Sequence, residues 1–219
     1  GDFIGTWSYS GQDGDGWGIY GQRYAANGAP VGGEFHVSSY TSLAQYDSAV
    51  TGLADGGFVV TWESEAQDGS GYGIFGQRYA ADGTAVGGEF QINSVTYTNQ
   101  QRPFVTALLG GGFVVTWQSH SQDGSSEGVY GQLYAVDGTT VGGEFQVNSY
   151  TFSGQRHATI TAISDGGFVV TWHSYEQDGD NYGIYGQRYA ADGATVGSEF
   201  QINSYAVSSQ RSPIVTALS

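Results

Sequence analysis

One step of 55 residues, repeated without insertion or deletion, constrains this chain more than any other feature of it. Phe3–Trp7 reads FIGTW, and FVVTW recurs at Phe58–Trp62, Phe113–Trp117 and Phe168–Trp172. Gln-Asp-Gly stands at Gln12, Gln67, Gln122 and Gln177, and a YGQRY-like run begins at Tyr20, Phe75, Tyr130 and Tyr185. Each copy ends its GEF or SEF run at Phe35, Phe90, Phe145 or Phe200. Four copies fill the 219 residues, at approximately 1–55, 56–110, 111–165 and 166–219, and leave no room for a separate domain.

Within a copy the pattern has the period of strands. In the second, Gly56–Ser64 is a β-branched and aromatic run, Gly73–Ala80 and Glu89–Asn93 alternate, and Arg102–Leu108 closes the unit. Asp55-Gly56 and Asp82-Gly83 mark tight turns between them. Four antiparallel strands per repeat of this length are the signature of a propeller blade. We therefore expect an all-β, four-bladed β-propeller forming a single domain. The last strand, Ser212–Ser219, occupies the column that precedes FVVTW elsewhere, so it is expected to complete the first blade and close the ring. An open β-solenoid, or blades cut from a larger ring, are the rivals. The repeated Trp and Phe are expected between blades, and Gly21, Gly76, Gly131 and Gly186 where a ring or backbone comes close.

Charge narrows function. Six basic residues against 21 acidic ones give −15, and all six are Arg. A surface this anionic repels phosphate backbones and anionic membranes, which argues against nucleic-acid binding and membrane insertion. No run approaches the length of a membrane helix. With no Cys, neither disulfides nor thiolate metal sites contribute. The lack of Met even at residue 1 leads us to expect a piece of a longer chain or a processed form.

The string DGGFVVTW…QDGSGYGIFGQRYAADG resembles tandem modules of very large secreted bacterial proteins of the RTX (haemolysin-type, calcium-binding) and adhesin kind. The resemblance spans all four copies. It implies a secreted or cell-surface location, a calcium-rich exterior, neighbouring domains of a longer chain, and an adhesive or scaffolding role. The RTX nonapeptide itself is missing, so its calcium-roll mechanism does not carry over. Repeated-blade lectins are an analogy of architecture alone.

Two sets of candidate site residues follow. The loops QDGDGWG, QDGSGYG, QDGSSEG and QDGDNYG offer Asp13 with Asp15, Asp68, Asp123, and Asp178 with Asp180 as calcium ligands; Ca2+ favours carboxylate and carbonyl oxygens gathered by Gly-permitted turns. The alternative is that these Asp side chains cap turn N–H groups. The second set is a ligand face: Trp17, Tyr72 and Tyr182 share one column, with Glu127 the exception, beside Gln45, Gln100, Gln155 and Gln210 in the inter-repeat loops. A ring next to amides suits a sugar, whose C–H face stacks while its hydroxyls bond; the alternative is that the Gln tie down loops. An Arg–Glu pairing of Arg23, Arg78 and Arg188 with Glu34, Glu89, Glu144 and Glu199 is expected as structure.

For catalysis the sequence offers little. His36, His120, His157 and His173 fall in four different columns, Glu63 with Glu65 forms a carboxylate pair in one copy, and no nucleophile, zinc or nucleotide motif is present. The expectation is a non-catalytic extracellular binding, adhesion or scaffolding module. A multivalent lectin-like propeller for cell-surface or matrix glycans is the alternative, and a glycan-active enzyme domain comes after it.

Overall fold

The computed structural model describes every residue except Asp13, Asp15 and Ser219. Among the described residues the chain is all-β, with fifteen strands in four antiparallel sheets. The first sheet holds β1 (Phe3–Ser10), β2 (Trp17–Tyr24) and β3 (Pro30–His36). The second runs in chain order through β4 (Gln45–Gly52), β5 (Phe58–Glu65), β6 (Tyr72–Tyr79) and β7 (Ala85–Gln91). The third repeats this with β8 (Gln100–Ala107), β9 (Phe113–His120), β10 (Glu127–Tyr134) and β11 (Thr140–Gln146). The fourth has β12 (Gln155–Ala162), β13 (Phe168–Tyr175), β14 (Tyr182–Tyr189) and β15 (Thr195–Gln201).

The chain divides into two compact units, Gly1–Pro103 and Phe104–Ser219, with the division inside β8. In the first unit, Ile19 and Val37 of the first sheet region pack on Phe58, Val60, Trp62, Phe75 and Tyr79 of the second sheet. Polar ties accompany that packing. The Tyr79 hydroxyl donates to the Val37 carbonyl at 3.3 Å, and Ser48 Oγ donates to Thr6 Oγ1 at 3.1 Å. The second unit repeats the arrangement, with Trp172, Tyr185 and Tyr189 against Val129, Leu133 and Val147, and the Tyr189 hydroxyl on the Val147 carbonyl at 3.3 Å.

The glycine inside the second strand of each sheet has a steric reason. Gly21 lies cross-strand from Phe35, and Gly131 from Phe145, with the ring laid over the glycine. A Cβ added at Gly21 would meet Phe35 Cζ at 3.0 Å, and one at Gly131 would meet Phe145 Cζ at 2.7 Å. The ring can then reach the neighbouring sheet: Phe35 sits 5.5 Å from Tyr79 and Phe145 5.4 Å from Tyr189, centroid to centroid. Gly76 with Phe90, and Gly186 with Phe200, repeat the cross-strand contact.

Three expectations are corrected. Residues 202–218, which include the segment expected to finish the first blade, form no strand, and the first sheet has three strands. Each of β4, β8 and β12 pairs with the strand that follows it. The cost of the missing ladder shows in one column: Leu108 is 8 % exposed, and its counterpart Leu218 is 88 % exposed. The third strand of the second copy begins at Ala85, four residues before the alternating EFQIN run, because a bulge between Gly76 and Arg78 lets Val86 pair with Arg78. At Arg23 and Arg188 the Arg–Glu pairing gives way to other partners. Arg23 donates to the carbonyls of Ala81 and Asp82, and Arg188 pairs with Asp165. Glu89 and Glu199 accept the backbone N–H and hydroxyl of Ser39 and Ser149, each at 2.7 and 3.0 Å.

Gly131→Ala drives a methyl into the Phe145 ring and is expected to lower unfolding stability by about 1–3 kcal/mol. Gly33→Ala, where an added Cβ meets nothing within 4 Å, is expected to stay within about 0.5 kcal/mol of the parent; urea unfolding of both compares them directly.

Candidate functional site

Because the repeats share a frame, the places where they differ stand out. The differences gather at one end of each sheet. At the column before the strand end the residues are Ser8, Glu63, Gln118 and His173; two residues on they are Ser10, Glu65, His120 and Tyr175. The next strand opens with Trp17, Tyr72, Glu127 or Tyr182, and the last segment of each repeat carries Tyr46-Asp47, Gln101-Arg102, Arg156-His157 or Arg211-Ser212. The register places these columns side by side: Tyr46 pairs with Glu63 and Tyr72 with Glu65.

A bulge builds this end. The ladder between β4 and β5 skips from Tyr46 to Ala49, and that between β12 and β13 skips from Arg156 to Thr159. The skipped residues Asp47 and His157, and Arg102 and Ser212 in the same column, all have φ between 49° and 56°, left-handed backbone on non-glycine residues. Such conformations are held by their surroundings and concentrate at functional sites. In the second and fourth repeats the N–H of this left-handed residue is taken by the variable column of the same repeat. Arg102 N–H donates to Glu63 Oε2 at 2.9 Å, and Ser212 N–H donates to His173 Nδ1 at 3.3 Å.

In the first unit this produces a buried acid. Glu63 is 5 % exposed, and burial pushes its carboxyl from 4.5 up to about 7; the Arg102 N–H works against the shift and the nearby charge of Asp47 adds to it. Burial, with Glu65, Tyr46 and Glu63 alongside, also raises the Tyr72 phenol. A chain of rings leads to the acid. Trp17 lies 5.7 Å from Tyr46, and Tyr46 lies 6.4 Å from Tyr72. Trp17 is 40 % exposed, so the ladder starts at the surface and ends at Glu63 and Glu65. The hollow beside Phe3, Arg23 and Phe58 lies at the opposite end of the strands, where Arg23 is engaged with main-chain carbonyls.

The residues singled out in the sequence divide in several ways. Trp17 and Tyr72 join the same cluster through Tyr46, and Tyr182 lies in the second unit against His173, Tyr175 and Arg211. Gln45, Gln100 and Gln155 are fully buried and have no surface to offer a ligand. They brace loops instead: Gln100 and Gln155 accept from Asn93 and Asn148 at 3.1 Å, Gln45 donates to Ser42 O at 3.1 Å, and Gln210 accepts from Asn203 at 3.1 Å. Asp13 and Asp15 lie outside the described residues. Asp68 and Asp123 accept the N–H of Ser70 and Ser125 at 3.2 and 3.1 Å, and Asp178 and Asp180 accept from Gln201 and Ser208 at 3.0 and 2.8 Å. Among the described residues no three His, Asp or Glu gather as a metal-holding group.

No family model matches the chain, and no curated protein matches it. Solved structures do. The Hadza microbial sialidase Hz136 aligns over 94 % of this chain and 45 % of its own, at 13 % identity and TM-score 0.61. A thermostable family-43 glycoside hydrolase covers 90 % of this chain and 72 % of its own (15 % identity, TM-score 0.51). The endo-arabinase of Bacteroides thetaiotaomicron VPI-5482 covers 84 % and 70 % (17 % identity, TM-score 0.50). The fold is thus shared with β-propeller glycoside hydrolases. This overturns the expectation of a non-catalytic adhesion or scaffolding module: the neighbours are enzymes that act on glycans.

The raised Glu63 carboxyl links stability to pH. Its proton is held more tightly folded than unfolded, so its stabilising effect is full below pH 4.5 and is lost as pH rises to about 7. Across that window the parent is expected to lose on the order of 3 kcal/mol more stability than Glu63→Gln, as read by urea unfolding at stepped pH.

Proposed function

We propose that the chain acts on glycans as a glycoside hydrolase in which Glu63 is the general acid. The observation that carries this reading is a carboxyl 5 % exposed and held at about 7, at the end of an aromatic ladder. An acid protonated near neutral pH can give its proton to the departing glycosidic oxygen, where an ordinary carboxylate is already ionised. Asp47, whose charge already acts on Glu63, is the second carboxylate, serving as base toward water or as nucleophile toward the anomeric carbon. The Arg102 N–H receives the carboxylate that Glu63 becomes after proton transfer. Trp17, Tyr46 and Tyr72 offer their faces to the apolar sides of sugar rings and set the direction of the glycan. The named activities of the structural neighbours, on arabinan and on sialosides, support this class of substrate.

A panel of arabinan, xylan and a sialyl-oligosaccharide, assayed for released sugar, tests the reading. The parent is expected to cleave at least one member, with turnover falling as pH rises above about 7 and Glu63 ionises. Glu63→Gln is expected to lower kcat by about 10²-fold or more with the fold intact by circular dichroism. Cleavage that is undiminished in Glu63→Gln, or no release from any member, would sink the proposal.

A further inference from the structure

The variable end of the second unit carries chemistry opposite to that of the first. Where the first has Asp47, Glu63 and Glu65, the fourth sheet has His157, His173 and Tyr175. Where the first has Tyr46, the fourth sheet has Arg156, and Arg211 follows in the same column one repeat on. In a chain with six Arg and 21 acids, two of the Arg and two of the four His stand at one sheet end. Turn structure does not need them there, since Arg23 and Arg188 perform that service at the other end of the strands.

The groups are arranged as well as gathered. His173 is 3 % exposed and takes the Ser212 N–H on Nδ1. His157 lies on it at 4.9 Å with 32° between the planes. Tyr182 meets His173 edge-on at 4.8 Å and Tyr175 at 4.9 Å. The Arg211 guanidinium lies over the Tyr182 ring, 4.2 Å from its centroid. Stacked this way, a guanidinium keeps its N–H edge for a planar anion. The acids nearby are engaged elsewhere: Glu127 pairs with Arg156 at 2.7 Å, Tyr175 bonds Glu176, and Asp180 accepts the Ser208 and Asn181 N–H groups.

We propose that this end of the fourth sheet is a second saccharide site, selective for a sugar that carries a carboxylate. Arg211 receives the carboxylate on its N–H edge, and the Tyr175–Tyr182 pair with the His157 ring forms the wall for the sugar ring. The site rests on the glycan reading above, and it does not depend on Glu63.

Calorimetric titration of the full chain with trigalacturonate, and with its fully methyl-esterified form, tests the assignment. The acid trimer is expected to bind at least about tenfold more tightly than the ester, which keeps the sugar and removes the charge. Arg211→Gln, at an exposed position, is expected to weaken acid-trimer binding about tenfold or more with an unchanged melting curve, and His157→Gln to weaken it also. Glu63→Gln should leave the titration unaltered, so loss of cleavage with retained binding separates this site from the proposed active site. The inference is overturned if the ester binds as tightly, if neither Arg211→Gln nor His157→Gln weakens binding, or if millimolar acid trimer gives no binding.

Discussion

The contact on which the rest depends is a phenylalanine ring laid across a glycine of its own sheet. Phe35 on Gly21 and Phe145 on Gly131 lower the relief of the sheet at that point, and the ring edge then reaches Tyr79 or Tyr189 of the next. Any side chain at the glycine would lift the ring and part the sheets, because cores at native density have no slack of that size. The same choice fixes the repeat step. A sheet that packs on its neighbour through one ring and one tyrosine hydroxyl tolerates no slip of register, since one residue would turn every side chain to the other face.

With the frame held so firmly, chemistry is free to differ at the strand ends. A left-handed residue supplies an N–H at the same place in the second and fourth repeats, and the side chain in the facing column answers it. A carboxyl does so at Glu63 and an imidazole at His173. The two outcomes are one geometric solution filled with different groups, and the electrostatic sign of each site follows from the filling. Burial then does the tuning: a carboxyl placed where water is excluded keeps its proton to neutral pH.

Much of the frame was legible in the residues. The 55-residue step, the strand order within a copy, and the reason for Gly21, Gly76, Gly131 and Gly186 all follow from spacing and residue type. The site was less legible, for three physical reasons. The left-handed column holds Asp47, Arg102, His157 and Ser212, none of them glycine, so nothing local announces that φ. Gln45, Gln100 and Gln155 are polar yet fully buried, and a repeated amide looks alike whether it faces a sugar or an asparagine. The four His seemed unrelated because they were compared with each other; compared across chemistry, His173 shares its column with Glu63. Residues 211–218 show the limit of pattern from another side, since they share the column of β4, β8 and β12 and form no strand.

Trp17 gives the protein an optical property that follows from its place alone. Trp62, Trp117 and Trp172 occupy the same column in successive sheets and are wholly removed from solvent, Trp7 in that column of the first sheet is half-buried, and Trp17 is 40 % exposed at the start of the aromatic ladder. Ultraviolet emission therefore combines a short-wavelength background from the interior with a longer-wavelength component, led by Trp17, that acrylamide can reach. The molecule carries its own fluorophore at the mouth of the proposed active site, and occupancy there can be followed without attaching a label.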